Sequence, residues 1–289
     1  MYKIYSPAKI NLWLEILGRR PDGYHDLRTV FQSIALFDEI EIEPSSSNHE
    51  LHCEGERIPC TEENIVLRTL RLFLSYLKER KFFKIKLKKR IPVGRGLGGG
   101  SSNAAAILLA LNRLFGNPFS LSQLVEIARE LGADVPFFLF GGRALGLGRG
   151  DEVYPLEEKE GVCVLIDPGF EASTGRVYGA YDRLSLKNEG PDILEFIWSG
   201  KGYRNDLFKA ALEVLPQLKQ LKEKIEGLGY LPRMTGSGSA FYLPFEKFSE
   251  AEEFYAKIRG WGVRVFVVPY LNRNYYYSEI FKDWGVAKR

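Results

Sequence analysis

Cysteine is scarce in this chain. Its three cysteines, Cys53, Cys60 and Cys163, form no CxxC pair and are too few for a disulfide framework among 289 residues, so a reducing compartment fits best. Long apolar runs are missing too. None approaches the ~18 residues that a membrane-spanning helix needs, and Met1-Tyr2-Lys3-Ile4-Tyr5 lacks the pattern of a signal sequence; the expected setting is cytoplasmic, with no membrane partner. Neither sign of charge prevails. Forty Lys and Arg against 37 Asp and Glu leave +3, which neither demands nor forbids a nucleic-acid partner. Repeats and low-complexity tracts are absent. What remains, 45% hydrophobic and 27% charged residues, describes an ordinary globular chain long enough for two domains.

Glycine is crowded into one stretch, Pro92-Val93-Gly94-Arg95-Gly96-Leu97-Gly98-Gly99-Gly100-Ser101-Ser102-Asn103-Ala104. Five of the seven residues from 94 to 100 lack a Cβ, which allows positive φ and close approach of the backbone to a ligand. Ser101 and Ser102 are good N-caps, and Ala104 to Leu114 then reads as an unbroken helix, so free amides and a positive helix end face the loop. An anion such as phosphate is expected there; the plainer reading is a capped glycine turn without a ligand. Gly94, Gly96 and Gly99 also satisfy the dinucleotide fingerprint, but that needs a buried parallel strand before the loop and an acid about 20 residues after it. The preceding Phe83-Lys84-Ile85-Lys86-Leu87-Lys88 alternates like a half-exposed strand, and residues 114–120 hold no carboxylate. A Walker A loop is excluded because glycine, not lysine, precedes the serines.

Residues 6–17 alternate, with Ile10, Leu12, Leu14 and Ile16 on one face of a strand and Lys9, Asn11, Trp13 and Glu15 on the other. Pro21-Asp22-Gly23 marks a turn, 27–43 further strand, 64–79 a helix, and 121–131 another stopped by Gly132. A domain boundary is placed beyond the glycine-dense 141–150, giving 1–153 and 154–289. The second half reads as strand 162–166, helices around 173–184 and 205–226, strand 240–243, helix 249–259 and strand 263–269, a two-layer α+β arrangement.

Several polar groups allow two readings. Lys9 and Asn11 are either a solvated strand face or a pair aimed into a cleft. Asp134, two residues before Pro136, suits an N-cap on a short helix. Thr235-Gly236-Ser237-Gly238 is most simply a turn, Tyr24-His25 a packing pair, and His49 and His52 surface residues without metal-type spacing.

Together these segments resemble the GHMP small-molecule kinases over nearly the whole chain: Pro7-Ala8-Lys9-Ile10-Asn11, the glycine loop through Ala104, Gly132-Ala133-Asp134-Val135-Pro136 and Thr235-Gly236-Ser237-Gly238, in that order. Arg20-Pro21-Asp22-Gly23-Tyr24-His25 and the Gly98-Gly99-Gly100-Ser101-Ser102-Asn103 form of the loop resemble the branch acting on a cytidine-diphosphate-linked methylerythritol. Arg95 stands where a small residue is usual, and Ser239 where alanine or cysteine is common. The resemblance implies a two-domain α+β fold with the site in the cleft between domains. It implies transfer of the γ-phosphate of ATP to the 2-hydroxyl of that substrate in non-mevalonate isoprenoid synthesis. Residues 92–103 would hold ATP, with Asn64 by the adenine. Asp134 would orient and deprotonate the hydroxyl, Lys9 would steady the phosphoryl charge, and Asn11 and Thr174 would help fix the substrate. Tyr24 and Tyr178 would sandwich the cytosine, His25 would bond its edge, and residues 235–238 would lie near the phosphates. Mg2+ is expected with ATP, its protein ligands unknown.

Two alternatives differ in what they require. A family member acting on homoserine or mevalonate would keep the ATP loop without needing Tyr24-His25. A nucleic-acid-binding module would use Lys84, Lys86, Lys88, Lys89 and Arg90 beside Phe82 and Phe83, although one basic strand is usually a solvated face. A monomer or weak homodimer with small-molecule substrates and no nucleic acid is expected.

Overall fold

The computed structural model describes residues 1–184 and 192–285. The chain opens with two long strands, β1 (Tyr2–Arg19) and β2 (His25–Ser45), joined by the Pro21-Asp22-Gly23 turn and paired antiparallel. Strand β3 (Glu50–Gly55), helix α1 (Ile65–Leu77) and strand β4 (Phe82–Lys89) follow, then α2 (Gly99–Leu114), α3 (Leu121–Leu131), the single-turn α4 (Phe137–Phe140), β5 (Arg143–Leu147) and β6 (Glu152–Pro155). The rest contains β7 (Val162–Asp167), α5 (Thr174–Leu184), α6 (Ile193–Ser199), β8 (Arg204–Asn205), α7 (Phe208–Val214), α8 (Pro216–Glu226), β9 (Arg233–Met234), β10 (Phe241–Phe245), α9 (Phe248–Ile258), β11 (Arg264–Pro269) and α10 (Arg273–Ile280).

Two sheets result. One runs β3-β4-β2-β1-β8, with β5 pairing β2 and β6; the other runs β11-β7-β10-β9. Apolar periodicity explains how they stack. On β7, Val162, Val164 and Ile166 join the core under helices α5, α7, α8 and α9, while Cys163 and Leu165 face the opposite way. There they meet Ala8, Ile10, Leu12, Val30 and Ile34 of β1 and β2, so the two sheets share a core between them. Helices α1 to α4 cover the outer face of the first sheet. Tyr276 of α10 is buried in that same first core, and its hydroxyl donates to the Phe138 carbonyl at 2.8 Å, so the end of the described chain returns to the first half.

Several expectations are corrected. Helix α2 starts at Gly99, not after Ser101 or Ser102: Gly98, at φ +67°, occupies the cap, and the serines fall inside the first turn. A left-handed cap suits glycine and leaves the first amides open. Asp134 caps nothing, because Pro136 holds the N-cap position of α4 without a side-chain bond. The helical stretch 205–226 begins as β8 and divides into α7 and α8 at Pro216, which sits in the first turn where proline is tolerated. Strand β4 alternates as expected, but Lys89 lies on its buried face. His49 is half-buried and accepts the Phe83 amide hydrogen at Nδ1, at 3.3 Å.

Candidate active site

Lys9 and Asn11 are not a solvated face; both are buried, since β1 carries a helical layer on one side and the second sheet on the other. Irregularities in the β1–β2 register after Pro7 and after Asn11 bracket the pair. Such bulges re-aim side chains beside functional sites. Lys9 Nζ donates to Asn11 Oδ1 at 2.7 Å and stands 3.3 Å from Asp134 Oδ2, whose side chain is about one-third exposed at 34%. Asn11 is itself fixed: its Nδ2 donates to Thr29 Oγ1 at 2.8 Å, and its backbone N–H to Thr235 Oγ1 at 3.1 Å. The expected trio therefore meets at one point.

The glycine loop wraps around that point. The Lys9 N–H donates to the Leu97 carbonyl at 3.0 Å, and a Cβ added at Gly98 would lie 3.0 Å from Lys9 Cε. Gly96, at φ +77°, presses against the Thr235 backbone so closely that no Cβ fits, while Thr235 Oγ1 donates to the Gly96 carbonyl at 3.1 Å. Glycine is thus required there by contact between two loops as well as by φ. Asn205, which no sequence motif marked, holds the second loop through Nδ2 bonds of 2.9 Å to the Met234 and Gly236 carbonyls.

These loops border a cavity of about 1000 Å³. Of the expected residues it is lined by Lys9, Asn11, Tyr24, His25, Asn64, residues 92–101, Asn103, Asp134, Thr174, Tyr178, Gly236 and Ser237. Ser102, Thr235 and Gly238 do not line it. Some lining residues are engaged in the scaffold. Asn64 caps α1 by accepting the Val66 N–H at 3.0 Å and donates to the Pro59 carbonyl at 2.6 Å. Asn103 donates to Ser6 Oγ at 2.6 Å and Asp38 Oδ2 at 2.9 Å. Asp38 also pairs with Lys89, whose ammonium burial pushes toward neutrality against the attraction of that carboxylate.

The two unusual loop residues have structural work instead. Arg95 is buried, donating to Asp167 Oδ1 at 2.6 Å and to the Val93 carbonyl at 2.8 Å; Asp167 also accepts Arg264 Nε at 2.8 Å. Ser239 donates to the Phe170 carbonyl. Arg95 ties its loop to the last residue of β7, and Ser239 ties the other loop to the segment that follows that strand.

At the other end of the cavity, Tyr24 is exposed, with the Arg149 guanidinium 5.3 Å above its ring. His25 lies against Tyr178, ring centroids 4.9 Å apart, and the Tyr178 phenol is pushed up by burial and by the Asp134 charge. Thr174 Oγ1 and Ser237 Oγ are 3.0 Å apart. Asp182, Arg149 and Arg19 line this end but belong to no motif found in the sequence.

A glycine loop at a helix N-terminus thus borders one cavity with a lysine–aspartate pair, and comparison with known proteins gives the family. The family described as GHMP kinases N terminal domain matches residues 64–142, and GHMP kinases C terminal matches 194–264. The 4-diphosphocytidyl-2-C-methyl-D-erythritol kinase of Syntrophus aciditrophicus is 42% identical, over 91% of this chain and 98% of its own length. That of Thermus thermophilus is 40% identical, over 89% and 92%. A crystal structure of 4-(cytidine 5'-diphospho)-2C-methyl-D-erythritol kinase is similar at a TM-score of 0.78 and 37% identity, covering 93% of this chain and 98% of that one. Homoserine kinase from Cytophaga hutchinsonii, at TM-score 0.69 and 17% identity over 94% of each chain, shares the fold alone. The chain belongs to the GHMP kinases and, within them, to the 4-diphosphocytidyl-2-C-methyl-D-erythritol kinase family. It is a small-molecule kinase with ATP as cosubstrate.

Proposed function

We propose that this enzyme transfers the γ-phosphate of ATP to the 2-hydroxyl of 4-diphosphocytidyl-2-C-methyl-D-erythritol, giving the 2-phosphate and ADP in non-mevalonate isoprenoid precursor synthesis. The observation that carries the reading is the Lys9–Asp134 pair, 3.3 Å apart, in one cavity with the glycine loop on one side and Tyr24, His25 and Tyr178 on the other. ATP phosphates would sit on the α2 N-terminus and the loop before it. The hydroxyl oxygen attacks the γ-phosphorus as the bond to the β–γ bridging oxygen breaks. Its proton passes to the Asp134 carboxylate and then to solvent. Lys9, fixed by Asn11, faces the charge on the transferred group, which is most of what phosphoryl transfer asks of a protein.

Among the described residues no group of three or more His, Cys, Asp or Glu forms a metal cage. A Mg2+ arriving with the nucleotide would lean on phosphate oxygens and water and would supply charge neutralisation there. The division into residues 1–153 and 154–289 agrees with the two family matches falling on either side of it. A cytoplasmic monomer or weak homodimer without nucleic acid is part of the same proposal. Its supports are the free thiols, the lack of any helix among the described residues able to cross a membrane, and the pairing of Lys84 with Glu50 and Lys86 with Glu54 on the basic strand.

The test is ADP release with ATP and each of three alcohols: the cytidine-linked polyol, homoserine and mevalonate. Turnover is expected with the first only. Comparable turnover with either of the others would contradict the substrate assignment and keep the kinase.

A further inference from the structure

The nucleotide end of the cavity holds a carboxylate that the reaction does not use. His25, on the first residue of β2, is 8% exposed, and its Nε2 lies 2.8 Å from Oδ1 of Asp182 in the last turn of α5. Arg19 stands 3.8 Å from the other carboxylate oxygen. One face of the imidazole lies against Tyr178, with the planes 31° apart, and Tyr181 meets the ring edge-on at 6.2 Å. The contact with Asp182 and the aromatic contacts together fix the ring's orientation. Nδ1 makes no hydrogen bond among the described residues, and both His25 and Asp182 line the cavity.

An ionised carboxylate offers only acceptors, so the nitrogen facing it carries the hydrogen, and in the neutral ring the other nitrogen is a bare lone pair. A bare acceptor needs a donor. Cytosine offers an amino group at the position where a uracil-type base offers a carbonyl oxygen. We propose that Asp182 is the positioning residue for base specificity: by holding His25 in its Nε2–H form, it makes the pocket accept the cytosine amino group and reject the uracil carbonyl. The proposal rests on the nucleotide reading of the pocket given above. Without Asp182 the hydrogen can move to Nδ1, the ring can serve either base, and discrimination falls.

The test has two readouts. The first is nitrogen-15 NMR of the His25 ring at mildly alkaline pH, where imidazoles are ordinarily neutral, assigned with a His25→Gln variant. Wild type is expected to show a pyridine-like Nδ1 and a pyrrole-like Nε2, and in Asp182→Ala the two signals should converge. The second is the ratio of kcat/KM for the cytidine-linked substrate to that for its uridine-linked analogue. Asp182→Ala should lower this ratio about tenfold, the effect of one unpaired polar contact, with ATP affinity unchanged. A protonated Nδ1 in wild type, or a spectrum and ratio unmoved by Asp182→Ala, would overturn the proposal. Equal use of both nucleotides by wild type with a bare Nδ1 would overturn the nucleotide reading and leave the tautomer assignment standing.

Discussion

Asp134 and Lys9 meet beside the glycine loop in the cavity, and the roles proposed for them separate in kinetics. Asp134→Asn keeps the shape and removes the proton acceptor, so turnover should fall about 10²- to 10⁴-fold while ATP still binds in a direct titration. Near-normal turnover would leave Asp134 as no more than a counter-ion for Lys9. Lys9→Ala should lower kcat more than it raises KM, since its charge matters most as phosphoryl charge develops; a pure KM effect would contradict this. Asp167 has a structural task. It neutralises the buried Arg95 guanidinium, so Asp167→Ala should destabilise by about 3–5 kcal/mol in urea unfolding, and an unchanged midpoint would show that Arg95 finds solvent. Lys9, Asn11 and Asp134 were legible as motif residues, but alternation alone left Lys9 and Asn11 as a candidate solvated face. They are buried by segments far along the chain, Lys9 by Gly98 and Asp134, and Asn11 by Thr235 and Gly236. Asp182 and Asn205 carried no sequence signal, because their partners lie 157 and 29 or more residues away and only folding brings them together.

At the scale of elements, the loop entering α2 carries the phosphate assignment. Its glycines are not equivalent. A side chain at Gly96 would strike the Thr235 backbone, and one at Gly99 would come within 2.6 Å of Lys89 Nζ, so substitution at either disturbs the protein itself. Gly100 is different: an added Cβ meets only Ile65 Cγ2, at 3.9 Å, while the residue lines the cavity. Gly100→Val should therefore fold normally and weaken ATP about tenfold or more, as one charge-assisted hydrogen bond is worth. A folded variant with full ATP affinity would remove the phosphates from this helix end. Strongly periodic elements were legible, including β1, α1, α3, β4 and β7. The α2 start was misread because serine is the usual cap and a left-handed glycine cap has no side-chain signature. Short α6 and α10 went unseen, since seven and eight residues give little periodicity.

At the scale of the whole molecule, the cavity is lined by residues from both halves of the chain. The proposed nucleotide pocket draws Tyr24 and His25 from the first half and Thr174 and Tyr178 from the second, while the glycine loop is tied to the second half through Asp167, Ala240 and Ala172. Order of motifs made this architecture legible through family resemblance. The packing of β1 on β7 and β10, and the return of α10 to the first core, were not, because they depend on contacts between distant segments. The most direct test of the assembled site is the kcat/KM of wild type for the cytidine-linked polyol compared with free methylerythritol. If the distant pocket positions the hydroxyl beside Asp134, the linked substrate should be preferred by at least about 10²-fold, as expected when remote binding contacts set reacting geometry. Equal kcat/KM for the two would contradict it.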